Sequence, residues 1–308
     1  MLKLVTFNIR CDYDQDGANS FRFRKPVILK KLAEEKPDVI CFQEVLPHVA
    51  AWLKENLTEY TVIGCGRSET LEDEQMTVAF RTDRLNLINM ETFWLSPTPY
   101  VPASRYEEQS ICPRVCTEVV LEDLQEKKVF RLCDIHLDHL GVQARTLGLS
   151  QILKKMDDAV LFANAPVILA GDFNAEPDGE EFAVMRERTD YVNCTEGIGI
   201  TYHGFEPEDE PERIDYIYIK KAKEGYAGLT CRSVKKWEDR DKEVWLSDHY
   251  PICADSYAGI ISTTSPRTRK VPRLKSISLR AYWISTSFLI TSSLSFIIPG
   301  LSETVMFW

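Results

Sequence analysis

The sequence predicts a mixed α/β fold whose functional groups collect at strand ends along one edge of a sheet. Two patterns carry that reading. Short apolar runs with β-branched residues recur from Leu2 to Ala254, most bounded by Asp, Gly, Pro or Asn, and several are apolar on both faces, as strands buried between layers are. Between them, three segments place apolar residues at helical spacing.

In chain order, Leu2–Phe7 is the first strand and delivers Asn8. It starts directly after the methionine, so no signal peptide is expected and the expected location is cytoplasmic. Arg24–Glu35 reads as a helix, Val39–Phe42 as a strand leading to Glu44, and Val49–Asn56 as the next helix. Strands follow at Thr77–Phe80, Val115–Leu121 and Val129–Ile135, the last delivering His136. Gly141 suits the boundary of a helix over Val142–Phe162. Strand Val167–Ala170 runs into Gly171, Asp172 and Asn174, and Ile214–Ile219 and Ile252–Ala254 are the last strands, with Asp248 just ahead of the final one. Polar residues at successive strand ends build a site at a sheet edge. Dividing residues 1–256 would split that site, so one catalytic domain over 1–256 is expected.

Composition narrows the class. With 44% hydrophobic and 27% charged residues, the 308-residue chain has ample material for a packed core. Six Lys/Arg and a single acidic residue, Glu303, fall in residues 259–308, so residues 1–258 carry 31 Lys/Arg against 46 Asp/Glu. A body that acidic repels a nucleic-acid backbone at long range and favours a small phosphate ester over a polyanion. The nine cysteines are scattered without a paired CxxC arrangement and read as reduced thiols. Cys112 and Cys116 lack the second pair that a zinc site needs.

From Tyr257 the text changes, first to Ser, Thr and Pro, then to basic residues between Arg267 and Arg280, then to an uncharged stretch over Ala281–Ser302. Its length suits a membrane span with a basic flank, but Ser, Thr, Pro299 and Gly300 make it weakly hydrophobic. The expectation for 257–308 is a disordered or adventitious tail, with membrane contact through it as the alternative.

The strand-end strings carry the chemistry. Val5-Thr6-Phe7-Asn8 and Cys41-Phe42-Gln43-Glu44 deliver a carboxamide and a carboxylate, hard oxygen donors that suit Mg2+ with positions left for water and phosphate. Taken alone, a Glu after a strand is more often a solvated loop residue. In Asp134-Ile135-His136-Leu137-Asp138-His139, strand alternation sets His136 and Asp138 on one face and His139 on the other. His136 then suits donation to a phosphate oxygen, whereas His139 reads as a core or capping histidine. Ala170-Gly171-Asp172-Phe173-Asn174 presents a carboxylate able to orient or deprotonate water beside an amide able to donate to developing charge. Arg213-Ile214-Asp215-Tyr216-Ile217 and Leu246-Ser247-Asp248-His249-Tyr250-Pro251 supply Asp215 as a partner for His249 and Asp248 for a metal or its waters.

These six strings, in this order and spacing, resemble the endonuclease/exonuclease/phosphatase superfamily, which includes type I deoxyribonucleases, abasic-site endonucleases, neutral sphingomyelinases, inositol polyphosphate phosphatases and deadenylases. The resemblance covers residues 2–255. It implies a DNase-I-like four-layer sandwich of two facing mixed β-sheets flanked by helices. It also implies hydrolysis of a phosphate ester by water, assisted by Mg2+ or Mn2+. By the same resemblance Asn8, Glu44 and Asp248 are metal-side residues, His136 binds phosphate, Asp172 orients or activates water, Asn174 assists the transition state, and Asp215 and His249 form a carboxylate–histidine pair. Thr201-Tyr202-His203-Gly204-Phe205 and Phe93-Trp94-Leu95-Ser96-Pro97-Thr98-Pro99, with Arg105 and Arg114 downstream, are similar to segments of a bacterial phosphatase-like subgroup. That similarity makes Trp94, Arg114 and His203 candidate substrate contacts, although Trp94 also reads as a core aromatic and His203 as a loop histidine.

The expected activity is therefore hydrolysis of a small sugar or lipid-headgroup phosphate. A nuclease on the same scaffold is the alternative, opposed by the acidic body and the lack of a basic stretch interleaved with aromatics. A catalytically silent binding module is opposed by the completeness of the polar set. Nothing in the sequence bears on oligomeric state.

Overall fold

A computed structural model describes residues 1–206, 211–222 and 226–260. The tail expected from 257 onward lies outside the described residues beyond Ile260. The chain runs β1 (Leu2–Asn8), α1 (Phe21–Glu35), β2 (Val39–Val45), α2 (Pro47–Asn56), β3 (Tyr60–Ile63), β4 (Gln75–Arg81), β5 (Leu85–Trp94), β6 (Val115–Asp123), β7 (Lys128–His136), α3 (Val142–Asp157), β8 (Val167–Asp172), α4 (Ala183–Arg186), β9 (Tyr191–Asn193), β10 (Asp215–Lys220), β11 (Ala227–Lys236), β12 (Arg240–Asp241), β13 (Val244–Trp245) and β14 (Ile252–Ile260). No described helix is long and apolar enough to cross a membrane.

Two mixed six-stranded sheets result, ordered β11-β14-β1-β2-β4-β3 and β5-β6-β7-β8-β10-β9. β1 lies parallel to β2, and β7 parallel to β8, each at the centre of its sheet. The period-2 alternation of side chains divides the core into three layers. Leu2 and Leu4 of β1, Cys41 of β2, Leu132 of β7 and Ile168 and Ala170 of β8 fill the space between the sheets. The alternate residues Val5, Phe7, Ile40 and Phe42 face outward under Phe21, Ile28 and Leu53 of α1 and α2. Cys133, Ile135, Val167 and Leu169 face the other way, under Leu149, Ile152 and Leu153 of α3. The architecture is thus helix, sheet, sheet, helix, the four-layer α/β sandwich that the resemblance implies.

Several elements depart from the sequence reading. The helix expected over Val142–Phe162 stops at Asp157, because Val160 and Leu161 are 90% and 78% exposed and find no layer to bury against. Strands β3, β5, β9, β11, β12 and β13 were not read from the sequence. β5 alternates weakly, with most of its middle residues exposed or half-buried at the sheet edge. β14 extends past Ala254 to Ile260 by pairing with β11.

Buried polar groups tie these layers together where the site begins. Arg24 of α1 is fully buried and donates to the carbonyls of Asn19, Ile9, Arg10 and Leu246. It thereby holds the exit of β1 beside the segment leading into β14, and an unpaired buried carbonyl costs about 1–3 kcal/mol. Arg24→Ala is expected to lower the unfolding free energy by roughly 3 kcal/mol or more. Guanidinium denaturation is the check, and a change under about 1 kcal/mol would remove Arg24 from this role.

Between the sheets, Gln43 Nε2 donates to Asp134 Oδ1 at 2.6 Å, bridging β2 to β7. Burial pushes the Asp134 carboxyl well above the usual carboxylate range, against the smaller opposing effect of the Gln43 hydrogen bond. A carboxyl raised on folding binds more protons in the native state, so its contribution is complete below the unfolded value and is lost as pH rises towards the folded one. Asp134→Asn removes that dependence. From pH 5 upward the variant is expected to gain stability relative to the parent, by up to about 1.4 kcal/mol per pH unit, in parallel denaturation series. Parallel pH profiles for the two proteins would contradict a protonated Asp134.

Candidate active site

The face between the sheets turns from apolar to polar as the central strands end. Leu4, Thr6 and Asn8 lie in succession on that face of β1, Leu132, Asp134 and His136 on β7, and Ile168, Ala170 and Asp172 on β8. Register brings the ends together: His136 lies opposite Asp172, and Asp172 opposite Asp215 on the antiparallel β10. A side chain at Gly171 would meet Ile135 O at 1.9 Å, so β7 and β8 can approach this closely only with glycine there.

Glu44 reaches the site by a different device. Alternation from Ile40 and Phe42 would aim it at α1, but the β2–β4 register shifts between Phe42 and Val45, and Glu44 itself sits at φ 63°. This bulge turns Glu44 toward the cavity and returns Val45 to the core.

A cavity of about 470 Å³ opens over these ends, lined among others by Arg10, Glu44, Arg67, Glu74, Arg114, His136, His139, Asp172, Asn174, Tyr202, Asp248 and His249. Asn8 lies beneath it, its Nδ2 donating to Glu44 Oε1 at 2.9 Å and Asp172 Oδ2 at 3.0 Å. Asp172 Oδ1 accepts from the Asn174 backbone N–H at 2.8 Å. Asn174 spends one amide hydrogen on Leu137 O, leaving the other. His249 Nδ1 donates to Asp215 Oδ2 at 2.8 Å, while its Nε2 lies 3.8 Å from Asp172 Oδ2. His136 Nε2 lies 3.5 Å from the same oxygen.

Charge sets the two histidines apart. Burial opposes protonation of His249, but Asp215, through its charge and hydrogen bond, and then Asp172, raise its pKa to about 10. Burial, reinforced by the charge of Arg114, pushes His136 well below its ordinary value. At neutral pH the site therefore holds an imidazolium and a neutral imidazole. Burial and then Asp215 push the Asp172 carboxyl up to about 7. Burial likewise raises Asp248, with Glu44 adding to it. Glu44 stays below the usual range because His136 and the hydrogen bonds from Asn8 and the Cys11 N–H outweigh its burial.

The donor set fits a divalent cation. Ligand atoms of Glu44, His136 and Asp172 lie within 4.8 Å of one another, as do those of Asp172, Asp215 and His249. Buried carboxylates that raise one another's pKa are the environment a dication relieves.

Three expected site residues sit otherwise than the sequence suggested. Asn8 turns its amide nitrogen toward the carboxylates, and its Oδ1 accepts from the Arg10 N–H at 3.0 Å, so it bridges two acidic groups. Trp94 does not line the cavity: it packs with Met76 and Val115, and its indole N–H donates to Arg67 O. His203 is 1% exposed among Trp245 and Tyr250, and only its backbone N–H serves the site, donating to Asp248 O. His139, by contrast, does line the cavity, since β7 ends at His136 and alternation stops with it. Arg10, Arg67, Glu74 and Tyr202 were not singled out. Arg10 follows Asn8 by two residues, which was a legible signal, whereas Arg67 and Glu74 sit in the β3–β4 connection, where no periodicity points inward.

Acids, amides and two histidines thus meet at the strand ends of a two-sheet sandwich. The family model described as Endonuclease/Exonuclease/phosphatase family matches residues 5–249, and the chain belongs to that family. Among solved structures, the endonuclease/exonuclease/phosphatase protein of Bacteroides vulgatus is 26% identical, with a TM-score of 0.76 over 84% of this chain and 99% of that one. The mannosyl-6-phosphatase of Bacteroides thetaiotaomicron is 24% identical, with a TM-score of 0.74 over 83% of this chain and 100% of that one. The human Nocturnin catalytic domain with bound sulfate is 20% identical, with a TM-score of 0.66 over 84% and 93%. No curated protein matches the chain.

Proposed function

We propose that this protein hydrolyses a small phosphate ester, of a sugar or lipid-headgroup kind, by attack of water at phosphorus with Mg2+ or Mn2+ bound. The observation that carries the reading is the charge pattern around Asp172. One acid with a pKa of about 7 lies between an imidazolium and a neutral imidazole, and its ligand atoms group with those of Glu44 and His136 closely enough to hold a dication. The net acidity of residues 1–258 supports a small substrate over a nucleic acid.

Glu44, with Asp248, would hold the cation, which when bound neutralises charge on the phosphate and leaving oxygen. Asp172 accepts a proton from water, a task for which a carboxyl titrating near neutral pH is suited. Asp215 keeps His249 charged and fixes its ring, so that Nε2–H is left to donate to a phosphoryl oxygen. His136 and the second amide hydrogen of Asn174 are further neutral donors on the same wall.

The test is release of product from a panel of phosphate monoesters, diesters and short DNA with Mg2+ or Mn2+. The monoesters include mannose 6-phosphate, a substrate type suggested by the name of the Bacteroides phosphatase. Activity is expected to vanish with chelator and to fall by about 10²- to 10⁴-fold in Glu44→Ala and His249→Ala. Folded parent protein that turns over no panel member with either metal would overturn the reading.

A further inference from the structure

Three arginines line the cavity, and they are not in the same state. Arg10 places Nε and Nη2 on Asp16 and Nη1 3.3 Å from Asp248. Arg67 places Nε on Asp73 and Nη1 on Glu74. Both are engaged bidentately or across two carboxylates, so their donors and charge are largely answered. Arg114 differs. Among the described residues its one side-chain hydrogen bond runs from Nη2 to His139 Nδ1 at 2.8 Å. Its Nε stands 3.5 Å from Asp138 Oδ1 and is a buried donor without a partner.

Asp138 has little left to offer it. The carboxylate accepts from Ser110 Oγ and N–H and from the backbone N–H groups of Leu140 and Gly141 ahead of α3. It fixes the place of Arg114 without satisfying the guanidinium. Since an arginine only donates, His139 Nδ1 must be the acceptor, so its ring is the tautomer protonated at Nε2. The Arg114 side chain is 5% exposed, and a guanidinium has five N–H donors in a rigid fork. A fork that buried, lining the cavity with Nη1 and one Nη2 hydrogen free of any partner among the described residues, matches two oxygens of one anion.

We propose that Arg114, positioned by Asp138 and His139, is the subsite for the terminal oxygens of a phosphomonoester, and that it makes this protein prefer monoesters to diesters. The inference rests on the hydrolase reading above and names the substrate class of that site. A monoester dianion has three terminal oxygens, enough to meet a cation, the histidine wall and the Arg114 fork together. A diester carries one charge and two terminal oxygens, and its second ester group would leave fork donors facing carbon. Unpaired buried donors of this kind cost about 10- to 100-fold in discrimination.

Hydrolysis of p-nitrophenyl phosphate and of methyl p-nitrophenyl phosphate, with Mn2+ present, tests this in the parent, Arg114→Gln and Arg114→Lys. The parent is expected to favour the monoester. In Arg114→Gln, kcat/KM for the monoester should fall about 10- to 100-fold while the diester changes less than about threefold. Arg114→Lys, which keeps the charge but loses the fork, should fall between. A second reading needs no turnover: inorganic phosphate should raise the melting temperature of the parent and not of Arg114→Gln, and dimethyl phosphate should raise neither. Equal losses on both esters, in variants that melt as the parent does, would overturn the proposal and leave the hydrolase reading standing. A parent inactive on these two esters is compared on the panel monoester it does turn over and that compound's methyl diester, with the same outcomes; a parent inactive on every panel member would remove the hydrolase reading and the inference with it.

Discussion

Four carboxylates, those of Glu44, Asp172, Asp215 and Asp248, share one largely buried wall, and their mutual repulsion is the constraint that the surrounding structure answers. The answers are specific. Asn8 lays a single amide nitrogen between Glu44 and Asp172. Asp215 is matched by a charged His249, and Asp248 by Arg10 and the Ser247 hydroxyl. Asp172, fully buried and beside Asp215, has its pKa raised to about 7 against the opposing charge of His249. A group that titrates near neutrality is a poor structural ion, and the proton transfer proposed for Asp172 asks for a group of that kind.

Such a cluster persists only on a scaffold that cannot relax. The strands beneath it are central in their sheets and buried on both faces, so moving one carboxylate away from another would break register across several strands. Gly171 fixes the spacing of β7 and β8, the Glu44 bulge fixes the direction of a carboxylate, and Arg24 ties the β1 exit to the segment before β14. Each is a backbone device, and together they hold side chains from widely separated stretches of the chain within one cavity.

The parts of this that could be read from sequence are those with a period. Strand cores such as Leu2–Phe7 and Val129–Ile135 alternate cleanly and end in polar residues, so the central strands, both long helices of the first sheet and most site residues were legible. Edge strands were not: β5 is too exposed to alternate, and β11 is recognised by its pairing with β14. Extrapolating alternation past a strand end misread His139, and spacing carries no information on which way the Asn8 amide points. Trp94 carried two readings, a substrate contact and a core aromatic, and it packs as the second, with its indole N–H on the backbone of Arg67 while the cavity receives that arginine.

The placement of the arginines also resolves an apparent conflict between an acidic body and an anionic substrate. Long-range fields follow net charge and are screened within about 10 Å at ordinary ionic strength, whereas a buried fork acts at hydrogen-bond distance and is screened much less. A polyanion must approach with many phosphates at once and meets the acidic surface with all of them. A small ester brings one phosphate group, and the cavity offers it an imidazolium, two further neutral donors and a guanidinium whose donors are open. The selectivity proposed for small substrates rests on where the positive charge sits: Arg10 and Arg67 are held by carboxylates, and the Arg114 guanidinium, which does little to offset the surface, acts within the few ångströms around a bound phosphate.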